Sequence, residues 1–265
     1  MSGLANKTTA PVLGIIGGTG ISQLDGFVLR DKIKPDTPFG DISGAVLLGQ
    51  LHGREVALIN RHGLLADGAS KQHIPPHQIN YRANLWALKQ LQVTAVLGLN
   101  AVGGISAQWP PGRLGTPHDV IDYSWGREHT FFDVTSPMPF ATHVELTPPF
   151  DATLRQQLQA AAELAEITLS QQGVVAVTNG PRLETVAEVQ RLAQDGCELV
   201  GMTSMPEAAL AAELELAYAS LCFSVNWAAG KAPSSSGGIH AEIEATITDC
   251  QRQINALLAS LLVAL

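Results

Sequence analysis

The sequence is short of cysteine and of long apolar runs. Its three cysteines, Cys197, Cys222 and Cys250, are widely spaced and form no C-x-x-C pair. This spacing argues against a disulfide framework and a zinc site, and indicates free thiols in a reducing compartment. The most apolar late segment, 254–265, is too short to span a bilayer, and residues 1–9 lack the apolar stretch and cleavage pattern of a signal peptide. We therefore expect a cytoplasmic protein without membrane contacts.

Basic residues are also scarce. The chain has 16 Lys and Arg against 24 Asp and Glu, a formal net charge of −8. Binding along a nucleic-acid backbone requires clustered Lys and Arg, so the composition excludes a general nucleic-acid surface. Any phosphate group must therefore be bound at a local site.

No feature divides the 265 residues into separate domains. The middle of the chain has neither a linker rich in Pro, Gly or Ser nor an internal repeat, and 46% of the residues are hydrophobic. We predict a loose tail over residues 1–11 and one domain over residues 12–265. Apolar runs alternate with segments of helical spacing, which predicts an α/β fold with a mixed sheet flanked by helices. The apolar runs cover 12–16, 45–48, 56–59, 93–99, 174–177, 199–201 and 216–225, and the helical segments cover 78–91, 152–168, 184–194, 206–214 and 240–264.

A glycine-rich turn follows the first apolar run. Gly17, Gly18, Thr19 and Gly20 allow a tight turn whose N–H groups form an anion nest, to which Thr19 adds a hydroxyl. The spacing is not G-x-G-x-x-G, and no Lys-Ser or Lys-Thr follows Gly20, so neither a dinucleotide fingerprint nor a P-loop fits. A tight turn without a ligand is the alternative.

Polar residues also follow the other apolar runs. In α/β sheets, ligands bind where strands end, so these residues are candidates for one site. Arg61 offers forked donors, His62 can donate, and the hydroxyls of Thr19 and Thr203 complete a cradle for phosphate. The full set at strand ends comprises Thr19, Arg61, His62, Asn100, Ala101, Asn179, Met202, Thr203 and Asn226.

Several longer motifs resemble one family. They are GIIGGTG at 14–20, TPFGDIS at 37–43, NRHG at 60–63, HIPPHQINYRANLWALK at 73–89, NAVGGI at 100–105, GREHTFFD at 126–133, GPRLETVAE at 180–188 and GMTSMPEAALAAEL at 201–214. With them the chain resembles the trimeric purine nucleoside phosphorylases, particularly the methylthioadenosine phosphorylase branch. The resemblance implies a barrel-like mixed sheet, a homotrimer, and reversible phosphorolysis of a purine nucleoside, with phosphate as co-substrate and no metal or organic cofactor. It places Met202 under the sugar, and Thr19, Arg61, His62, Asn100, Ala101 and Thr203 at the phosphate.

The base-binding residues depart from the methylthioadenosine branch. Where that branch carries an Asp-x-Asp pattern, this chain has Asn226 and Ala228 on either side of Trp227. An amide can donate to a 6-oxo group while its oxygen accepts from a protonated N7, and Glu184, next to Leu183, can accept from N1–H. We therefore expect hypoxanthine-type or guanine-type bases, with Asn226, Glu184 and His62 as catalytic residues. The alternatives are that Glu184 is a first-turn helix acid and that Asn226 is a strand-end turn residue.

The 5′ substituent of the sugar has two possible binding groups. Ile239, with His143 from a neighbouring subunit, can line an apolar pocket, which favours S-methyl-5′-thioinosine as substrate. His240 lies fourteen positions beyond Asn226, as a 5′-hydroxyl-binding His does in inosine and guanosine phosphorylases, although it can also simply begin the last helix. Residues 64–72 form a longer connection than the family pattern predicts, which leaves the position of His73 open.

Other functions compete with this interpretation. Cleavage of inosine, guanosine or methylthioadenosine is the alternative within the family. A nucleoside hydrolase would use a carboxylate such as Glu184 to activate water. A sensor without catalytic activity has no need for a phosphate site beside a sugar, so Arg61, His62 and Thr203 argue against it.

Overall fold

The computed structural model describes residues 13–18, 24–63, 73–133, 137–138, 143–232 and 239–265, the backbone alone over 239–245. The predicted tail over residues 1–11 lies outside the described residues, as does Thr19.

Every predicted apolar run is a strand, and four further strands were not predicted. One of these is β2, which among the described strands pairs only with β3; it is largely exposed, so it carries no buried apolar pattern. The other three, β6, β7 and β8, span four residues or fewer. The strands are β1 Leu13–Gly17, β2 Phe27–Ile33, β3 Val46–Leu51, β4 Arg54–Asn60, β5 Ala95–Gly104, β6 Leu114–Gly115, β7 Asp119–Asp122, β8 Leu169–Ser170, β9 Val174–Val177, β10 Leu199–Gly201 and β11 Ala217–Trp227.

All five predicted helices are present with shifted ends. The α2 helix ends earlier than predicted, since Glu166 takes a positive φ of 56° and stops it. The α3 helix begins after Thr185, whose side chain forms a capping box with Glu188, so Glu184 lies outside the helix. The helices are α1 Tyr81–Gln90, α2 Ala152–Leu164, α3 Val186–Gln194, α4 Ser204–Glu213 and α5 Ile239–Ala264.

The sheet branches at β5, its central strand. Within the described residues it has eleven strands, with the path β2-β3-β4-β1-β5-β10-β9-β7, and β11 joins β5 to β6 and β8. Along one side of β5 lie β1, which is parallel, and then β10, which is antiparallel; β11 runs parallel along the other side. The parallel strands β1, β5 and β11 therefore point their carboxyl ends the same way. This confirms the predicted α/β fold with a mixed sheet flanked by helices.

Helices cover the two faces of this sheet. On one face α2 and α5 pack against β11, with Leu158 and Leu258 fully buried, and on the other α1 and α4 bury Leu88 and Leu210. None of the helices in the described part of the chain combines the length and apolarity that crossing a membrane requires.

Candidate active site

A cavity of about 400 Å³ opens where β1, β4, β10 and β11 end against the second half of β5. We call the part formed by Gly18, Arg61, His62 and Thr203 the Arg61 end, and the part formed by Leu183, Glu184, Asn226 and Ala228 the Asn226 end. Arg61 donates to the carbonyl of Leu99, whereas Asn226 pairs with Gly103. Leu99 and Gly103 are four residues apart on β5, which corresponds to about 13 Å of extended strand. The predicted residues that line the cavity are Arg61, His62, Ala101, Leu183, Glu184, Met202, Thr203, Asn226 and Ala228.

Arg61 is buried and forms a double hydrogen bond with Glu207. Its Nε and Nη2 donate to the two carboxylate oxygens, at 2.9 Å for Nη2, and Tyr218 Oη donates to the same carboxylate at 2.8 Å. Nη2 also donates to the carbonyl of Ile16. Most of the fork is therefore used inside the protein, and the predicted contact of Arg61 with phosphate stays a prediction.

One edge of Arg61 remains for a ligand. Nη1 donates to the carbonyl of Leu99 and lies close to Gly18. A Cβ atom added to Gly18 would lie only 2.8 Å from this nitrogen. Burial alone lowers the pKa of Arg61, but its attraction to Glu207 and their hydrogen bonds raise that pKa above its ordinary value. The Arg61 end thus presents a permanent cation, and the carboxylate of Glu207 balances most of its charge on the side away from the cavity.

His62 is oriented by the backbone of Ile74. Its Nδ1 lies 2.7 Å from the carbonyl oxygen of Ile74, which can only accept, so Nδ1 carries the proton. Burial lowers the pKa of His62 to about 4, with Arg61 and His73 acting in the same direction and the bond to Ile74 opposing them. At neutral pH the ring is uncharged and its Nε2, the atom nearer Gly18, is an acceptor. Donation from His62 to phosphate would require a second proton on the ring, and this role stays a prediction.

His73 lines the cavity. The sequence had left its position undecided. Its ring stacks on that of His62, with centroids 4.4 Å apart and planes 14° apart. The residues 64–72 that precede it lie outside the described part of the chain.

Thr203 is held by Asn100, which lies behind the cavity. Asn100 Nδ2 donates to the carbonyl of Gly98 at 3.2 Å and to Ser220 Oγ at 2.7 Å, so its Oδ1 must face Thr203. Thr203 Oγ1 donates to that oxygen at 2.8 Å and presents its lone pairs to the cavity. The expected contact of Asn100 with phosphate is therefore replaced by a supporting role.

Asn226 reaches the cavity through a β-bulge. The register of β11 on β5 shifts between Ser224 and Asn226, and such a bulge turns the side chain that follows it. Asn226 Nδ2 donates to the carbonyl of Trp227 at 2.6 Å, which fixes the amide orientation and leaves one N–H and Oδ1 for a ligand. Trp227 contributes this carbonyl and does not line the cavity.

Glu184 faces Asn226 from the segment before α3. Thr178 Oγ1 donates to Glu184 Oε1 at 2.6 Å, which leaves the second carboxylate oxygen for a ligand. Since Thr185 is the N-cap of α3, the alternative of a first-turn helix acid does not hold. At this end the site offers one donor and two acceptors.

The remaining predicted residues are not placed in the cavity of this chain. His143 is exposed and does not line it. The side chains of Ile239 and His240 lie outside the described residues. The described residues contain no group of three His, Cys, Asp or Glu side chains positioned to bind a metal ion.

Comparison with known proteins identifies the family. Residues 12–263 match the model of the phosphorylase superfamily. The chain is 47% identical over 253 residues to a probable S-methyl-5′-thioinosine phosphorylase of Pseudomonas syringae pv. tomato, covering 96% of this chain and 99% of that protein. A purine nucleoside phosphorylase of Streptomyces coelicolor is 42% identical over 246 residues, covering 91% and 84%. The structure of methylthioadenosine phosphorylase from Schistosoma mansoni in complex with adenine matches with a TM-score of 0.86 at 27% identity, covering 96% and 91%. The chain belongs to the phosphorylase superfamily.

Proposed function

We propose that this protein catalyses the reversible phosphorolysis of 6-oxopurine nucleosides and prefers S-methyl-5′-thioinosine, which yields hypoxanthine and 5-methylthioribose 1-phosphate. Inorganic phosphate is the co-substrate, and no other cofactor takes part. The observation that carries the proposal is the fixed amide of Asn226, which faces the same cavity as Glu184 and the Arg61 end. The relatives named as S-methyl-5′-thioinosine and purine nucleoside phosphorylases support it.

The Asn226 end matches a 6-oxopurine. The free N–H of Asn226 donates to O6, and the free oxygen of Glu184 accepts from N1–H. The Oδ1 of Asn226 accepts from N7–H once the leaving base is protonated there. Adenine has no proton on N1 and carries a donor at position 6, so it would leave buried polar groups facing like partners. Such polar mismatches are penalised far more strongly than differences in size.

The reaction breaks the bond between the anomeric carbon and N9 and forms a bond between that carbon and a phosphate oxygen. The Arg61 end holds the phosphate, with Nη1 of Arg61 as a charged donor and Nε2 of His62 as an acceptor for the O–H of hydrogen phosphate. Electrons move onto the purine, where the N–H of Asn226 at O6 stabilises the developing negative charge and Glu184 orients the base through N1–H. The proton of hydrogen phosphate ends on the released base, so the atoms balance.

The preference for a 5′-methylthio group rests on two observations. Ile247 of α5 and Val225 give the cavity an apolar wall, and four relatives of 45–47% identity carry the methylthioinosine name. A 5′-hydroxyl would gain nothing from such a wall. The choice between Ile239 and His240 at this position stays a prediction.

The second candidate from the same cavity is a nucleoside hydrolase, for which Glu184 was the predicted base. Glu184 is bonded to Thr178 at the Asn226 end, away from the position a nucleophile would take at the Arg61 end.

We also propose that the enzyme works in the cytoplasm as a homotrimer. Its three cysteines are free and buried, and in the proposed trimer the exposed His143 would reach the cavity of a neighbouring subunit.

The test is the initial rate of base release from S-methyl-5′-thioinosine, inosine and methylthioadenosine, each with and without phosphate. We expect release that depends on phosphate and is fastest from S-methyl-5′-thioinosine. Faster release from inosine would assign the 5′ pocket to a polar group, and release from methylthioadenosine alone would refute the base assignment. Release without phosphate would identify a hydrolase.

A further inference from the structure

Arg127 lies beneath the cavity and has no role in the function described so far. It is 7% exposed, and its partners are all uncharged oxygen atoms. Nη1 donates to the carbonyls of Met202 at 2.9 Å and Met205 at 2.6 Å, and Nη2 donates to those of Thr178 at 3.1 Å and Asn179 at 3.0 Å. Nε reaches Asn179 Oδ1 at 3.2 Å, and Tyr81 Oη lies 3.3 Å from Nη1.

Arg127 differs in this respect from the buried Arg61 and from Arg82, which is partly buried and does not line the cavity. Arg61 is paired with Glu207, and Arg82 with Glu128 and Asp133. No carboxylate of the described residues lies within ion-pair distance of Arg127. Burial of a charge without a counter-charge is costly, so the five N–H groups must be satisfied by well-placed oxygens. The carbonyls around Arg127 do this.

The partners of Arg127 belong to both ends of the cavity. Thr178 follows β9 and its hydroxyl holds Glu184, while Met202 follows β10 and precedes Thr203. Met205 lies in the first turn of α4. The planar guanidinium of Arg127 thus connects two strand ends. The end of β9 supports Glu184, and the end of β10 carries Met202 and Thr203. A lysine has one nitrogen and cannot span these oxygens.

We propose that Arg127 is a positioning residue that fixes Met202 and Thr203 relative to Glu184, so that phosphate, sugar and base are aligned for the reaction. It does not touch the substrate, because all of its N–H groups are used on the protein. The inference rests on the proposed phosphorolysis at this cavity. Small misplacements of reacting groups reduce rates strongly, by about 100-fold for 1 Å.

The first test is Arg127→Lys, with Arg82→Lys as the matched control. Arg82 is also largely buried and bonds to the 128–133 segment, but it does not reach the carbonyls under the cavity. We expect Arg127→Lys to lower kcat about 10- to 100-fold with little change in KM for the nucleoside, and Arg82→Lys to leave both nearly unchanged. Unchanged kcat in Arg127→Lys, or an effect confined to KM, would overturn the proposal.

The second test separates positioning from folding. Arg127→Ala is assayed with added guanidinium chloride at millimolar, non-denaturing concentrations, and Arg82→Ala is treated in the same way. We expect guanidinium to raise kcat of Arg127→Ala several-fold and to have no such effect on Arg82→Ala. A folded Arg127→Ala with no response would refute the proposal, and if that variant does not fold, the lysine variant decides. Failure of the proposed function appears separately, as an inactive wild-type enzyme.

Discussion

The two ends of the cavity differ in how their side chains are supported. At the Arg61 end, Arg61, Glu207 and Tyr218 are buried and bonded to one another across β4, α4 and β11. At the Asn226 end, Glu184 is partly exposed and Leu183 is 50% exposed, and each polar group has a single neighbouring partner. The Arg61 end is part of the core, so changes there affect folding. The Asn226 end is open at Leu183 and Glu184, although Asn226 and Ala228 are buried, so changes there mainly affect which base is accepted.

The largest effect is expected from Glu207→Gln. The change leaves the buried cation of Arg61 without its counter-charge and removes one acceptor of the Tyr218 hydroxyl. Breaking a buried ion pair by removing one partner costs about 3–5 kcal/mol of unfolding free energy. Urea unfolding of wild type and variant, followed by circular dichroism, measures the difference.

Glu188→Gln is the matched control, because Glu188 pairs with Arg182 on the surface. Exposed ion pairs contribute little to stability, so the unfolding midpoint of this variant should stay near that of the wild type. Equal losses in the two variants would show that the Arg61 end is not the more tightly coupled region.

The second effect is expected at the Asn226 end, from Asn226→Asp. A carboxylate cannot donate to O6 but can accept from a 6-amino group, so the preference should move from S-methyl-5′-thioinosine towards methylthioadenosine. We expect the ratio of the two kcat/KM values to change by about 100-fold or more. Both kcat/KM values are measured on the same variant, so a smaller fraction of folded protein lowers them equally and leaves their ratio unchanged.

Glu184→Gln sharpens this test, since a glutamine N–H can donate to the unprotonated N1 of adenine. Combined with Asn226→Asp, it should move the preference further in the same direction. A ratio that stays at the wild-type value in both variants would show that neither residue recognises the base.

The sequence predicts the outline of this site well but not its internal bonds. Apolar runs and the polar residues after them located Arg61, Thr203 and Asn226, because strand ends have a local signature. Glu207 was missed, since it looks like an ordinary acid inside a predicted helix and its partner lies 146 residues away. Only tertiary packing brings the two together, and no local pattern records it. Arg127 lies within the GREHTFFD motif, but its carbonyl partners belong to segments whose side chains give no signal of this contact.

Orientation of polar groups was equally beyond the sequence. The tautomer of His62 depends on the carbonyl of Ile74, and the amide of Asn226 depends on the carbonyl of Trp227. Asn100 was a strand-end candidate because it follows an apolar run, and the resemblance placed it at the phosphate, but β5 continues to Gly104 and buries it. Hydrogen bonds to backbone atoms thus decide which polar atoms of a side chain stay available for a ligand. Residue types alone do not specify these bonds.

The smallest of the three effects concerns pH and tests whether the Arg61 end is as buried as the comparison requires. In the unfolded chain His62 titrates near its ordinary pKa of about 6.5, and in the folded protein burial lowers the pKa to about 4. Its contribution to stability is therefore complete above pH 6.5 and is lost as the pH falls towards 4. Between pH 7 and pH 5 the wild type should lose about 2 kcal/mol through this residue.

His62→Asn removes the titrating group, so the unfolding free energy of this variant should fall less between pH 7 and pH 5 than that of the wild type. Urea unfolding at the two pH values measures both losses. Asn226→Ala, at the other end, carries no titrating group and should keep the wild-type dependence. If wild type and His62→Asn lose the same amount, the ring is accessible to water and protons in the folded state. The Arg61 end would then be open at His62, and its contrast with the Asn226 end would be confined to Arg61, Glu207 and Tyr218.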